Sequence, residues 1–478
     1  MIKNLFLLLL FAFTTFSMKA QTFENINSSL PGLSLSVCSF ADIDNDGDLD
    51  LYLAGFADDG SVSGGLYIYD AEEFTLSEIS GLPAVYVGAC SWGDVDGDND
   101  IDVVIMGQNA SYTDITEVYS NNGDGTFTSL NAGITAAEQG EINLVDFDGD
   151  NDLDIALTGT ESVNYNKITK FYENDGTGVF TELTGIIVPG MDLGRMKWAD
   201  YDNDNDLDFA ITGYDNGTGG SNTFYSKIFN NNGDGSFSES GIDLYQCWLG
   251  DIEWGDFNND GNIDLVVSGT GGNGAERYTL LYKNNGDGSF TELDMDFPGV
   301  SHSGLEWADF NEDGYLDLFI VGETTTPGEG NSVSKIFINN GDETFRDSGV
   351  DNLNFSFYGD ADSGDYDNDG TVDLVISGYL NVSYETGSAI FKNNTTTTIS
   401  EINKHLTIYP IPAKDFLTIN SSNLIKKIEI IDVAGKSILS QNANSENVRV
   451  NIQDLRKGVY FIRIQTTNKT ITEKIIIE

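Results

Sequence analysis

Seven acidic loops of nine residues hold the chemistry written in this chain, and their first residues stand 52 to 56 positions apart. At its odd positions the first loop offers Asp42, Asp44, Asp46, Asp48 and Asp50, and the second Asp94, Asp96, Asp98, Asp100 and Asp102. The third offers Asp146, Asp148, Asp150, Asp152 and Asp154, and the fourth Asp200, Asp202, Asp204, Asp206 and Asp208. The fifth has Asp256, Asn258, Asp260, Asn262 and Asp264; the sixth Asp309, Asn311, Asp313, Tyr315 and Asp317; the seventh Asp365, Asp367, Asp369, Thr371 and Asp373. Oxygen ligands at alternate positions of a tight turn suit a hard cation that takes roughly six to eight oxygens, which points to calcium. The chain offers sites for up to seven ions. Positions 1, 3 and 5 would supply side-chain oxygens and position 9 both oxygens of its carboxylate. Position 7 would supply its backbone carbonyl, since Tyr315 and Thr371 stand there as readily as Asp. Position 6 is Gly or, at Asn99, Asn151 and Asn205, Asn; both tolerate positive φ. A helix–loop–helix calcium hand is excluded, because its loop of about twelve residues ends in Glu between helices. Here the flanks read as strands, as in Leu51-Tyr52-Leu53-Ala54-Gly55.

The elements that position these loops follow from one repeat. Tyr86 to Gly93 is an extended run into the second loop, and Ile101 to Gly107 is a β-branched run out of it. Ile115 to Ser120 is a third run, Asn121-Asn122-Gly123-Asp124-Gly125 a hairpin turn, and Thr126-Phe127-Thr128 the start of a fourth. Four short antiparallel strands per unit, repeated at this length, predict propeller blades that bury their faces only against their neighbours. Aromatics two residues before most loops (Phe40, Trp92, Trp198, Trp254 and Trp307) read as packing between blades. The seventh repeat stops after Ile390-Phe391-Lys392-Asn393-Asn394, without a fourth strand. The segment Thr22-Phe23-Glu24-Asn25-Ile26 matches the missing strand and can close the ring by covering its open edge.

Charge divides the chain near residue 400. Of 77 acidic and 23 basic residues, the last 78 positions hold 8 and 11, and the first 20 hold none and two. That leaves 69 acidic against ten basic residues between them. A surface so acidic repels nucleic acid, anionic membrane and polyanionic glycans. Residues 1–20 carry Lys3, an apolar run from Leu5 to Phe13 and Met18-Lys19-Ala20, the pattern of a secretory leader. The run is too short to span a bilayer, which takes about 20 apolar residues, and the mature chain has no other candidate span. Cys38, Cys90 and Cys247 are too few and odd in number for a disulfide framework. Cys38 and Cys90 fall at a core position four residues before their loops and read as apolar filler.

The seven Asp-x-Asp/Asn-x-Asp-x-x-x-Asp loops resemble the FG-GAP or VCBS repeats of integrin α-subunit propellers and many secreted bacterial proteins. The resemblance covers about residues 22–395 and departs from the family in lacking Gly at position 6 of three loops. It implies that the loops join the first and second strands on one face and that ligands bind the opposite face. A second resemblance lies in Tyr409-Pro410-Ile411-Pro412-Ala413, Ile431-Asp432-Val433-Ala434-Gly435-Lys436, Lys457-Gly458-Val459-Tyr460 and Lys474-Ile475-Ile476. These motifs look like the type A sorting domain of the type IX secretion system, with Ile411 where Asn is usual. This implies the outer-membrane translocon as a partner of residues 405–478. Alternating runs there, such as Val459-Tyr460-Phe461-Ile462-Arg463-Ile464, fit a small β-sandwich.

The chain is therefore read as all-β: a leader at 1–20, a seven-bladed calcium-binding propeller at 22–395, a Thr-rich linker at 396–404 and the sorting domain at 405–478. The expected function is a secreted or surface-displayed binding or adhesion protein with a glycan or protein ligand. The alternative is a glycoside hydrolase or polysaccharide lyase on the same scaffold. Ten basic residues and the single propeller histidine, His302, suit a lyase of uronic acid polymers badly, and no Ser-His-Asp order, phosphate loop or zinc motif is visible. A binding face would use the loops from second to third strand and from fourth strand to the next first. These loops carry Tyr112, Tyr165, Arg195, Tyr214, Tyr245, Trp248, His302, Phe357 and Tyr358. Exposed aromatics stack on sugars and anchor protein partners.

Overall fold

The computed structural model describes residues 22–26, 28–161, 163–215, 223–271, 276–324, 332–351, 353–356, 358–380, 385–395, 406–409, 414, 416–432, 436–453, 455, 457–466 and 470–477. The leader segment and Phe357 lie outside them. The chain divides into two compact units between Thr395 and Thr396.

The first unit is all β. Its pattern is clearest in residues 86–129, where Tyr86–Gly93, Asp102–Gln108, Asp114–Asn121 and Phe127–Ser129 pair antiparallel in chain order. Among the described residues this unit of four strands occurs seven times, each time with an acidic loop between its first and second strands. The second strands, such as Asp102–Gln108 and Asp264–Gly271, are buried almost throughout. Their β-branched runs fit this place, with a neighbouring repeat covering each face. Rings fill the seams: Phe147 stacks on Trp198 at 6.1 Å, Tyr201 on Trp254 at 5.7 Å, Phe257 on Trp307 at 6.5 Å and Tyr366 on Phe40 at 6.3 Å. Each pair joins position 2 of one loop to the ring before the next repeat's loop, so these aromatics pack between units as the sequence predicted.

The last repeat borrows its fourth strand from the beginning of the chain. Phe23, Glu24 and Asn25 pair antiparallel with Asn393, Lys392 and Phe391 of the strand Thr386–Asn393. Phe23 is buried and meets Phe310 edge-on at 5.9 Å.

A side chain that the sequence left in a turn ties the repeats together. Asn121, Asn174, Asn231, Asn284, Asn339 and Asn393 end the third strands and are buried. Each Nδ2 donates to the carbonyl of loop position 2 in the preceding repeat, at 2.7–3.0 Å: Ile43, Val95, Phe147, Tyr201, Phe257 and Phe310 respectively. The same nitrogen reaches the carbonyl of position 8 in its own loop, as Asn231 does to Leu207 at 3.3 Å. In the first repeat Tyr69 holds this place, and its ring meets Tyr366 at 5.0 Å. Asn231→Ala should cost about 2–4 kcal/mol in denaturant unfolding, because two buried carbonyls lose their donor. The exposed neighbour Asn232, which bonds only within its own hairpin, should tolerate Ala at a cost below about 1 kcal/mol.

The second unit is also all β, with Leu406–Tyr409, Phe416–Asp432, Ser437–Asn451, Gly458–Thr466 and Thr470–Ile477 joined in one sheet. Its core comprises Leu417, Ile419, Ile425, Ile428, Ile430, Val448, Val450, Ile452, Ile462 and Ile464. No helix among the described residues is long and apolar enough to cross a membrane.

Candidate metal loops and the axial face

Each acidic loop is a turn folded around its first carboxylate. Asp94 accepts the N–H of Gly97 at 2.8 Å and of Asn99 at 2.9 Å. Asp365 accepts those of Asp369 at 2.9 Å and Gly370 at 2.8 Å. The carboxylate at position 5 accepts the N–H of position 7, as Asp46 does from Asp48 at 3.2 Å. Positions 4 and 6 are left-handed in all seven loops. At position 6, Asn99, Asn151 and Asn205 have φ of 72°, 74° and 75°, beside 87–98° for the glycines. Asn replaces Gly here because its short amide side chain tolerates this region. Position 4 escaped the sequence reading, although its run of Asn45, Gly97, Gly149, Asn203, Asn259 and Asn368 carried the signal; Glu312 breaks it.

Position 9 does more than chelation requires. Asp50, Asp102, Asp154, Asp208, Asp264, Asp317 and Asp373 are buried. One oxygen of each accepts the N–H at or near the end of the third strand at 2.7–2.9 Å. In the first, second, third and seventh loops the other oxygen accepts the N–H of position 2, at 2.9–3.3 Å. Burial pushes these carboxyls up, Asp102 to about 6, Asp50, Asp154, Asp208 and Asp264 to about 7, and Asp317 and Asp373 to about 8.

The loops fit a cation. Three carboxylate oxygens converge within 4.8 Å in five of them: Asp42, Asp44, Asp46; Asp94, Asp96, Asp102; Asp146, Asp148, Asp154; Asp200, Asp202, Asp208; and Asp365, Asp367, Asp373. The fifth and sixth loops place Asn258 and Asn311 at position 3 instead. Buried acceptor oxygens without a protein donor point the same way: Asp96 Oδ1, Asp208 Oδ2, Asp264 Oδ2, Asn311 Oδ1, Asp317 Oδ2 and Asp367 Oδ1. A buried acceptor left unpaired is costly, and a metal ion removes the deficit.

The opposite ends of the first strands converge on one axis. Leu35, Val87, Gln139, Leu193, Leu249, His302 and Tyr358, one from each repeat, are all left-handed, with φ of 45–56°. Such a backbone costs about 1–3 kcal/mol per residue unless its surroundings fix it. Here hydrogen bonds run from one to the next: Leu193 N to Gln139 O at 2.8 Å, Leu249 N to Leu193 O at 3.3 Å, His302 N to Leu249 O at 2.5 Å and Leu35 N to Tyr358 O at 2.5 Å. The following residue is small because a Cβ at Gly140 or Gly359 would stand 1.9 or 1.7 Å from a second-strand carbonyl. The seven residues collar a cavity of about 120 Å³.

Beneath the collar lies a second cavity of about 130 Å³, lined from all seven repeats and strongly charged. Arg195 pairs with Glu141 at 3.4 Å and Asp251 at 3.7 Å, and Lys197 with Glu253 at 2.8 Å. Asp360 and Asp362 accept the N–H groups of Cys38 and Phe40 at 3.1 and 2.7 Å. Glu306 accepts only the Ser363 hydroxyl, at 3.4 Å, and burial together with Asp362 holds its carboxyl well above the usual range. Its folded form therefore keeps a proton that the unfolded chain releases, and stability falls as pH rises from about 4.5. Glu306→Gln should raise the melting temperature at pH 8 and change it little at pH 5. An unchanged melt at pH 8 would show that the carboxylate is accommodated without cost.

The proposed binding residues separate into groups. Arg195, His302 and Tyr358 line the collared cavity, and the His302 and Tyr358 rings meet at 4.1 Å, tilted by 47°. Burial and Arg277 push His302 down to about 4, so it is neutral at neutral pH. Tyr214 lies 5.0 Å from Trp248, which stacks on Phe224, with Lys167 Nζ 3.6 Å above the Tyr214 ring. Tyr245 packs on Tyr278 at 4.2 Å. Tyr112 and Tyr165 are 65% and 77% exposed, and Tyr112 meets the Tyr86 ring edge-on at 6.2 Å. Nine of the ten basic residues described in this unit, all but Arg346, enter ion pairs with its own acids.

These features define a β-propeller-like repeat protein with acidic loops that can hold metal. The chain belongs to the FG-GAP-like repeat family, which matches it at residues 94–157, 146–211, 200–267, 256–320 and 309–376. Residues 407–478 match the secretion system C-terminal sorting domain. With that domain comes export by the type IX system to the cell surface or extracellular space. No curated protein matches the chain. Among solved structures it is similar to PorZ, described as an essential bacterial surface component of the type-IX secretion system of Porphyromonas gingivalis. The identity is 12% and the TM-score 0.43, over 90% of this chain and 58% of that one. The chain thus spans little more than half the length of that relative.

Proposed function

We propose that this protein is a calcium-stabilised binding protein, delivered to the cell surface or medium by its sorting domain. Residues 22–395 form seven blades and take up to seven calcium ions. Residues 405–478 fold as a small sandwich that engages the translocon. The sandwich reading is supported by the 17-residue strand Phe416–Asp432: along one edge it changes partner from Leu406–Tyr409 to Gly458–Thr466, and along the other its pairing with Ser437–Asn451 breaks register between Asn420 and Ile425. The binding reading rests on how the cations are used. Nine of ten are ion-paired within the fold, which leaves an acidic exterior suited to neutral or cationic ligands and unsuited to polyanions.

The face around Arg195, His302 and Tyr358, with Trp248 next to the collar residue Leu249 and Tyr214 packed on it, supplies the aromatic surfaces that sugars and protein partners use. A glycan array probed with the calcium-loaded protein tests this. Binding to neutral glycans that Trp248→Ala and Tyr358→Ala abolish is the expected result. Turnover of a glycan by the wild-type protein would replace the binding reading with an enzymatic one. Deleting residues 405–478 should leave the protein in the periplasm, and normal release of the truncated chain would remove the sorting role.

A further inference from the structure

We propose that the seventh loop carries a cation of its own, the Lys392 ammonium, and therefore takes calcium more weakly than its carboxylates would otherwise allow. The inference rests on the reading of the loops as calcium sites. Lys392 Nζ forms ion pairs with Oδ2 of Asp367, at loop position 3, and with Oδ2 of Asp369, at position 5, the latter at 3.0 Å. The other six repeats place Ile68, Ser120, Glu173, Asn230, Lys283 and Ile338 at the corresponding point, just before the last buried residue of the third strand. That point faces the loop: Ser120 Oγ donates to Asp96 at position 3, at 3.0 Å. Lys283, the only other cation there, pairs with Glu343 of the next repeat instead.

Asp369 is held from within the loop as well. Thr371 Oγ1 bonds Asp369 at 2.7 Å and the Asn393 carbonyl at 2.9 Å. A calcium ion arriving here meets a like charge and must break two charge-assisted bonds before it gains those ligands. Asp367 Oδ1 stays without a donor, so the site is weakened and not destroyed.

The position of this loop gives the substitution its sense. It lies at the seam where the ring closes. Asn368 Nδ2 donates to the Gly47 carbonyl of the first loop at 3.2 Å, Leu49 N to the Tyr366 carbonyl at 3.0 Å, and Lys392 sits opposite Glu24 of the borrowed strand. A tethered ammonium keeps that loop folded when calcium is scarce, in the one repeat whose third and fourth strands are joined by no continuous chain.

Calorimetric titration of the chelated full-length protein with calcium tests this. The wild type should show tight and weak classes of site. Lys392→Met should move one site from the weak class to the tight class, with its Kd lowered about tenfold or more. In the wild type Asp365→Asn should delete a weak site; combined with Lys392→Met it should delete a tight one. Unchanged titration of Lys392→Met, or loss of a tight site from wild type with Asp365→Asn, overturns the proposal and leaves the calcium reading intact. Absence of calcium binding altogether overturns both. If Lys392→Met does not fold, the class of site lost with Asp365→Asn in the wild type decides.

Discussion

Chelation of calcium should lower the melting temperature of the protein by about 10–15 °C at neutral pH. Calcium sites of extracellular modules bind at roughly 0.1–1 mM, and a tenfold excess over Kd adds about 1.4 kcal/mol per site. Seven sites in one cooperative unit then contribute about 10 kcal/mol, and a unit of this size loses roughly a degree per kcal/mol. The pH dependence has a definite sign. The buried position-9 carboxyls stand at about 6 to 8 in the metal-free fold, whereas the same groups in an unfolded chain release their protons near 4. The folded state binds the extra protons, so metal-free stability should fall as pH rises from about 4 to 8. Saturating calcium takes the place of those protons and should flatten the profile. Scanning calorimetry at pH 5 and 8, with calcium and with chelator, separates the cases. Coincident melts at pH 8 would remove the metal from the stability of this fold.

Deletion of residues 21–27 should destabilise the first unit by about 5–8 kcal/mol and cause aggregation. Phe23 is 5% exposed, and losing a buried Phe costs about 3–5 kcal/mol. Lost with it are the register from Phe23 to Asn25 and the flanking bonds Ile26 N to Ile390 O and Asn394 N to Thr22 O, at 3.1 and 2.8 Å, each worth about 0.5–1.5 kcal/mol. The strand Thr386–Asn393 is left with an unpaired edge, a template for other chains. Phe23→Ala should reproduce the core loss without the aggregation. A deletion that melts with the wild type would mean that another segment covers this edge.

The parts of this architecture that were legible in the sequence are those written in residue types at fixed spacing. The acidic loops, the β-branched second strands and the rings before each loop repeat in register, and even the borrowed strand could be read from Thr22-Phe23-Glu24 because it copies the fourth strand of other repeats. The clamps were illegible for a physical reason. Asn231 bonds the main chain of Phe147, 84 positions earlier, and a carbonyl leaves no trace in residue type. Its neighbour Asn232 hid it further, since a pair of asparagines before Gly-Asp-Gly reads as a turn. The collar was equally silent: Leu35, Val87 and His302 share a conformation that their side chains do not favour, imposed by the ring of amides around them. Lys392 showed its charge, but nothing in the sequence said that its charge lands on Asp367.

The asparagine clamps also bear on how such a chain can change. Each joins a side chain of one repeat to a carbonyl that any residue would supply in the repeat before it. An in-frame duplication of one interior repeat therefore brings a complete joint at both of its borders, whatever its neighbours. The junction of Tyr69 with Tyr366 is less general, because it joins two side chains. Growth of the array by copying is thus least constrained at the six clamped borders. A circularly permuted chain, its old termini joined and new ones opened in the exposed turn at Asp124-Gly125, should keep every one of these joints.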